Sequence, residues 1–398
     1  MNETQWHFLR ELLAVPTAPF REQQVRTFAE RALDAWGVPH CRDPHGNLLV
    51  GVASPAAYRQ LLGTRSEVPV RLFIAHMDHP GFHGVRWLDA RRLAIAWHGG
   101  SPVKHLAGAD VWLSAGAGYA ARGELHDVEL HPKGYAIGRA EVRLPDTRLR
   151  TAVPQARRLF GGFAFRAPVW RSGSRIYTKA ADDLVGVFAI LQTARALFRR
   201  RTAAPPPFIG LLTRAEEVGF VGAIAHFELD WMRRRRRPLV AVSLEASRTL
   251  PGAEIGKGPV VRLGDRRTVF DANGMQLLSE LAGKVLPQRH QRRIMDGGAC
   301  EATAATAFGI PTVGLTVPLG NYHNQGLEGG ADCPRLSGPA PEFVHVDDVQ
   351  GLLKLCRALV DRPLRWDDPW GAVRARLQRN RRAYARHLDR EEEAVHED

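Results

Sequence analysis

The sequence is poor in cysteine. Its 398 residues hold four, Cys41, Cys300, Cys333 and Cys356, far apart and without a CxxC pair. That spacing suggests neither a zinc ribbon nor a disulfide framework, and it fits a reducing compartment. Long apolar runs are missing too: no window approaches the about 18 uninterrupted apolar residues that a membrane helix needs. The opening Met1-Asn2-Glu3-Thr4-Gln5-Trp6 brings an acid and polar groups in place of a basic segment and an apolar core, so the chain is expected to be cytoplasmic. No internal repeat is visible, and low-complexity sequence is limited to Pro205-Pro206-Pro207 and a charged tail from Trp366 to Asp398.

Positive charge is in excess, at +13 from 55 Lys and Arg against 42 Asp and Glu. The densest run, Arg233 to Arg237, follows Glu228-Leu229-Asp230-Trp231-Met232 and precedes Pro238, the pattern of an exposed helix end before a strand. No nucleic-acid-binding signature reinforces it, so neither nucleic acid nor membrane is expected as a partner. At 44% hydrophobic, a chain of this length can bury one large α/β domain and a smaller one.

Apolar spacing predicts helices over Thr4–Ala14 and Glu22–Trp36, parted by the breakers of Val15-Pro16-Thr17-Ala18-Pro19. Strands are expected at Asn47–Val52 and at Val68–Ala75, the second running into His76-Met77-Asp78. From about Gly84 to Pro168 the texture changes to short β-like runs broken by Gly, Asp and Pro, which predicts an inserted all-β domain. Helix and strand alternate afterwards: helices over Asp182–Arg199, Phe220–Met232, Gly274–Val285 and Val346–Val360, and strands over Phe208–Leu212, Leu239–Leu244 and Thr312–Val317. Such alternation implies a largely parallel central sheet covered by helices. The expected organisation is residues 1–83 and 169–365 for the α/β domain, 84–168 for the β insert and 366–398 for a charged helical tail.

Five groups of ligating or proton-transferring side chains follow predicted strands or open a helix: His76 with Asp78, Asp182 with Asp183, Glu216 with Glu217, Glu245, and His323. Each has a plain structural alternative, such as a core histidine, a helix cap for Asp182 or a salt-bridge partner for Glu245. In open α/β sheets, however, the carboxyl ends of the strands line the ligand crevice, and residues distant in sequence meet there.

At these residues the chain resembles the tetrahedral and glutamyl aminopeptidases, dinuclear metallopeptidases with a β-barrel inserted in an α/β catalytic domain. The resemblance rests on Phe20-Arg21-Glu22, Asp43-Pro44-His45-Gly46-Asn47, Ala75-His76-Met77-Asp78, His98-Gly99-Gly100-Ser101-Pro102-Val103, Lys179-Ala180-Ala181-Asp182-Asp183, Glu216-Glu217-Val218-Gly219 and Pro318 to His323. It implies one metal held by His76, Asp182 and Glu245, and another held by Asp182, Glu217 and His323, with Asp182 bridging. Two divalent ions about 3.5–4 Å apart share a water and polarise a scissile carbonyl. Zn is the first expectation, with Co and Mn alternatives, because His/carboxylate sites select weakly among them. Glu216 is then the general base, and Asp78 the partner that fixes the His76 imidazole. Short peptides are the implied substrates and a homo-oligomer, from dimer to tetrahedral dodecamer, the implied assembly.

The chain departs from the family pattern in places. Glu245 stands where Asp is usual, His79 where an acid follows the His-x-Asp, Glu301 where Asp is usual, and Asn324 where Ser is usual, while Gly326 to Pro341 reads as an enlarged loop beside the site. Two other readings stay open on the sequence: a deacylase of N-acyl amino acids using the same site, and an inactive assembly protein of the same fold. A glycosidase, the activity some relatives are labelled with, calls for two carboxyl groups flanking a sugar and not a His-rich metal pair.

Overall fold

The computed structural model describes residues 1–199, 207–361 and 364–393, so Pro205, Pro206 and the last stretch of the predicted tail, 394–398, lie outside the described residues. Its centre is an eight-stranded sheet. Four strands, Phe208–Thr213, Val70–His76, Leu239–Arg248 and Thr312–Leu319, lie side by side in that order and run parallel. All of Val70–His76 and Phe208–Thr213 is buried, because helices cover both faces, and this is why these strands read as continuous apolar runs. Alternate residues divide between two cores: Phe73 and Ala75 pack with the helices Glu3–Ala14, Gln23–Trp36, Leu184–Phe198 and Val346–Asp361, while Leu72 and Ile74 pack with Pro55–Gly63, Val221–Phe227 and Glu301–Ala307.

The sheet is extended on one side by Leu48–Val50, antiparallel to Phe208–Thr213, and then by His40–Arg42. On the other side Val260–Asp265 runs antiparallel to Thr312–Leu319 and parallel to the edge strand Gln291–Met295. The helix expected over Phe220–Met232 is two, Val221–Phe227 and Asp230–Arg233, because Leu229 takes an extended conformation (φ −58°, ψ 137°) between them. Arg233 ends the second, and within the basic run Arg233, Arg234 and Arg236 are exposed, whereas Arg235 donates to the carbonyls of Met232 and Gly309, and Arg237 to that of Val68.

Six strands between Gly81 and Phe163 close into a barrel whose neighbours are all antiparallel. The barrel has its own core, including Phe82, Leu93, Ile95, Val111, Leu113, Leu125 and Val142. Its first strand, Gly81–Trp87, starts directly after His76-Met77-Asp78-His79-Pro80, so the barrel hangs from the carboxyl end of a central strand. The charged tail forms the helix Gly371–Glu393. No helix among the described residues is long and apolar enough to cross a membrane.

Candidate metal centre and active site

The parallel strands bring the candidate residues to one edge. His76 ends its strand and pairs in register with Thr213, the last residue of the neighbouring strand, so Glu216 and Glu217 emerge beside it. Glu245 lies within Leu239–Arg248, and His323 follows Thr312–Leu319. Asp182 sits between the strand Arg175–Thr178 and the helix Leu184–Phe198. The capping role open to Asp182 in the sequence falls to its neighbour: Asp183 is the N-cap, accepting the Gly186 N–H at 3.1 Å.

Asp182 turns one oxygen to each histidine. Oδ1 lies 3.4 Å from His76 Nε2 and Oδ2 lies 3.8 Å from His323 Nε2, the disposition of a carboxylate between two centres. His323 Nε2 is also 3.1 Å from Glu217 Oε2, and His76 Nε2 is 3.9 Å from Glu216 Oε2. Ligand atoms of His76, Asp182 and Glu217 all fall within 4.8 Å of one another. That group cuts across the two shells the resemblance implies, since it sets Glu217 beside His76. Glu245 contributes its carboxylate to the wall of the same cavity.

These groups fit divalent cations. Asp182 Oδ1, Glu217 Oε1, Glu245 Oε1 and His323 Nε2 are buried without a hydrogen-bond partner, an arrangement costly unless something else satisfies them. His323 Nε2 approaches Glu217 closely yet lacks hydrogen-bond geometry, as two ligands aimed at a common ion would. Charge tells the same story. Burial, with Glu217, Glu245 and Glu301 adding to it, pushes the Glu216 carboxyl well above its ordinary value. Burial and Asp182 push Glu245 up to about 8. Asp182 alone is held below the ordinary range, because the His76 and His323 rings outweigh its burial. So many carboxylates need added positive charge to ionise together.

The turn carrying Glu216 and Glu217 hangs on buried acceptors from upstream. Glu22 takes the Ala215 N–H at 3.0 Å and the Arg214 side chain at 2.9 Å, and Asn47 Oδ1 takes the Arg214 N–H at 3.1 Å. Asn47 is fixed in turn by Asp43 at 2.7 Å. Asp78 accepts the N–H groups of Glu216 (3.0 Å) and Glu217 (3.2 Å). Next to the imidazole, His76 Nδ1 donates to the Asp78 backbone carbonyl at 3.1 Å and lies 3.7 Å from the Asp78 carboxylate, so the carboxylate that holds the two glutamates also stands beside His76.

On the other side His79 Nδ1 meets the Asp182 carbonyl at 2.9 Å and Nε2 meets Asn324 Oδ1 at 3.2 Å, so two departures from the family pattern touch each other. Glu301 is buried with both oxygens unpartnered, and burial pushes its carboxyl up to about 7. Glu342, which the sequence reading missed, accepts from Ala181, Asp182 and His323. The barrel closes in from above: Gly100 lies so near the His323 ring that a Cβ would strike it. A cavity of about 430 Å³ opens beside the cluster, lined by Glu216, Glu217, Glu245, Tyr322 and His323 together with Arg262, whose Nε and Nη1 are buried without partners. Arg262 lies on the strand Val260–Asp265, which the sequence pattern does not mark, so the sequence gives no sign of it. The enlarged loop reaches this cavity through Leu327, next to Gln325 just before it, and Asp332 ties it to Arg166 beyond the barrel's last strand at 3.0 Å.

Comparison with known proteins agrees with this architecture. The chain is similar to the TET1 peptidase of Pyrococcus horikoshii, a protein that can assemble into a tetrahedron or a large octahedral shell: 20% identity over 89% of this chain and 99% of that one, TM-score 0.68. It is similar to an aminopeptidase from the archaeon Desulfurococcus kamchatkensis (18% identity, 92% and 97% covered, TM-score 0.70). It is also similar to an endoglucanase from Thermotoga maritima (15% identity, 88% and 96% covered, TM-score 0.59). At these identities the likeness is one of fold. Curated proteins give no match. The sequence profile of the family described as M42 glutamyl aminopeptidase matches residues 60–327, more than half of the chain and the span that runs from before His76 to beyond His323, and the chain belongs to that family.

Proposed function

We propose that the chain is a dinuclear metallo-aminopeptidase that removes N-terminal residues from short peptides. The observation that carries the reading is Asp182, buried between His76 and His323 with one oxygen toward each. His76, Asp182 and Glu245 would hold one ion and Asp182, Glu217 and His323 the other, Zn first, with Co or Mn as alternatives. Bound there, the two ions would polarise the scissile carbonyl and make water a better nucleophile.

The chain's own residues supply the remainder. Glu216 stands at the cavity wall next to Glu217, raised in basicity by burial, and takes the proton of the attacking water and hands it to the leaving amine nitrogen. Asp78 holds both glutamates by their N–H groups and so sets the offset between base and ligand. Arg262 in the cavity wall, its Nε and Nη1 without hydrogen-bond partners, supports an acidic side chain on the first residue, the sense of the family's name. Four free cysteines fit a cytoplasmic setting, and relatives that form closed shells support a homo-oligomer with residues 84–168 as a separate domain at the subunit contact. Elemental analysis at saturation tests the reading: two ions per chain and loss of amide hydrolysis on chelation are expected, whereas full activity with one ion would remove the dinuclear mechanism. A requirement for a free α-amino group separates peptidase from deacylase.

A further inference from the structure

We infer that Glu342 is a positioning residue that couples the bridging carboxylate Asp182 to the second-ion ligand His323. The inference rests on the dinuclear reading above. Glu342 opens the strand Glu342–His345 and pairs in register with Thr178, the last residue of Arg175–Thr178, at the point where the chain leaves for Asp182. Its side chain is fully buried and both oxygens are engaged. Oε2 accepts the N–H of Ala181 at 2.7 Å and of Asp182 at 3.2 Å; Oε1 accepts the N–H of His323 at 2.9 Å. One carboxylate thus spans two segments that the sequence separates widely.

The two segments do not depend on it equally. Asp182 is held a second time through its carbonyl, which His79 meets at 2.9 Å. His323 sits in a turn where Asn321, His323 and Asn324 all have left-handed backbones (φ 54°, 55° and 57°), a conformation costly for side-chain-bearing residues unless the surroundings fix it. The Glu342 bond is the fixture on the His323 N–H itself. A carboxylate suits the task because it offers acceptors in two directions, whereas an amide offers one oxygen and must turn donors toward the other N–H groups. Glu342→Gln should therefore loosen the His323 turn more than the doubly anchored Asp182.

The test is titration of metal-depleted protein with Mn²⁺ by calorimetry, with melting followed in parallel. For Glu342→Gln the first binding step should stay near wild type and the second should weaken by about 10–100-fold, the usual effect of losing a residue that orients a ligand. His323→Ala is the control and should lose the second step, and adding Glu342→Gln to it should change the remaining step little. Should Glu342→Gln not be recovered folded, Glu342→Asp keeps the charge one methylene short and should show the same selective loss. A wild-type second step in Glu342→Gln, or equal weakening of both steps with a lowered melting point, overturns the coupling role while leaving the dinuclear reading intact. Two full steps in His323→Ala would overturn the metal assignment and this inference with it.

Discussion

The two sides of the site are held by different kinds of scaffold. Glu216 and Glu217 hang on Glu22, Asn47 and Asp78, all upstream and all inside recognisable motifs. Asp182 and His323 hang on His79, Asn324 and Glu342, and the stretch 325–341 intervenes before Glu342 is reached. On the second side His79 and Asn324 touch each other, and the stretch 325–341 lies between His323 and its anchor Glu342. A hydrogen bond constrains position in space and is indifferent to sequence separation, so the loop could grow as long as its root stayed pinned, as it is where Asn321 donates to the carbonyls of Gly329 and Pro341.

The strongest way to break the comparison is to remove the carboxylate proposed to serve both ions. Asp182→Asn should lower occupancy of both ions and reduce hydrolysis to background, whereas Glu217→Gln should weaken the second ion first; inductively coupled plasma analysis of dialysed protein checks both. Asp78→Asn attacks the first side alone and should cost about 10–100-fold in kcat/KM, since one of two glutamate N–H groups loses its acceptor. Arg262→Met should raise KM for substrates with an N-terminal glutamate by about 10–100-fold, the worth of a charged hydrogen bond, and leave those beginning with leucine little changed. Equal loss on both substrates would place Arg262 in support of Glu245 instead.

Smaller effects lie farther out. Asp43 is held below the ordinary aspartate range because His226, Asn47 and His45 outweigh its burial. A depressed carboxyl stabilises the fold above its unfolded value near about pH 4 and loses that contribution as pH falls through the folded one. Asp43→Asn should therefore lower stability by about 1–3 kcal/mol at neutral pH and by less in acid, measured by urea unfolding at both pH values. Arg166→Ala, which cuts the half-exposed tie from the loop to Asp332, should cost less than about 1 kcal/mol and alter KM more than kcat.

Much of this was legible in the sequence, and the exceptions have a physical reason. Val70–Ile74 and Phe208–Leu212 read as strands because both faces are covered. Val260–Asp265 and Gln291–Met295 did not, because Arg262, Arg292 and Arg293 interrupt the apolar run. Candidate ligands were visible because parallel strands end together and place His76, Glu216, Glu217 and Glu245 at one edge. Asp78 is legible as a neighbour of His76, which its carboxylate approaches to 3.7 Å, whereas spacing cannot show that the same carboxylate also holds the N–H groups of Glu216 and Glu217. Glu342 had no signal at all, being one acid in a short strand of a minor sheet.

The central claim is that Glu216 moves the proton while Glu217 binds, and Glu216→Gln tests it most directly. The substitution keeps the shape and removes the base. With metal content and melting measured on the same sample, steady-state kinetics should show both ions retained and kcat lowered by about 10²–10⁴-fold with KM little changed. Near-normal turnover with both ions in place would contradict the account and make Glu216 a strand-end acid.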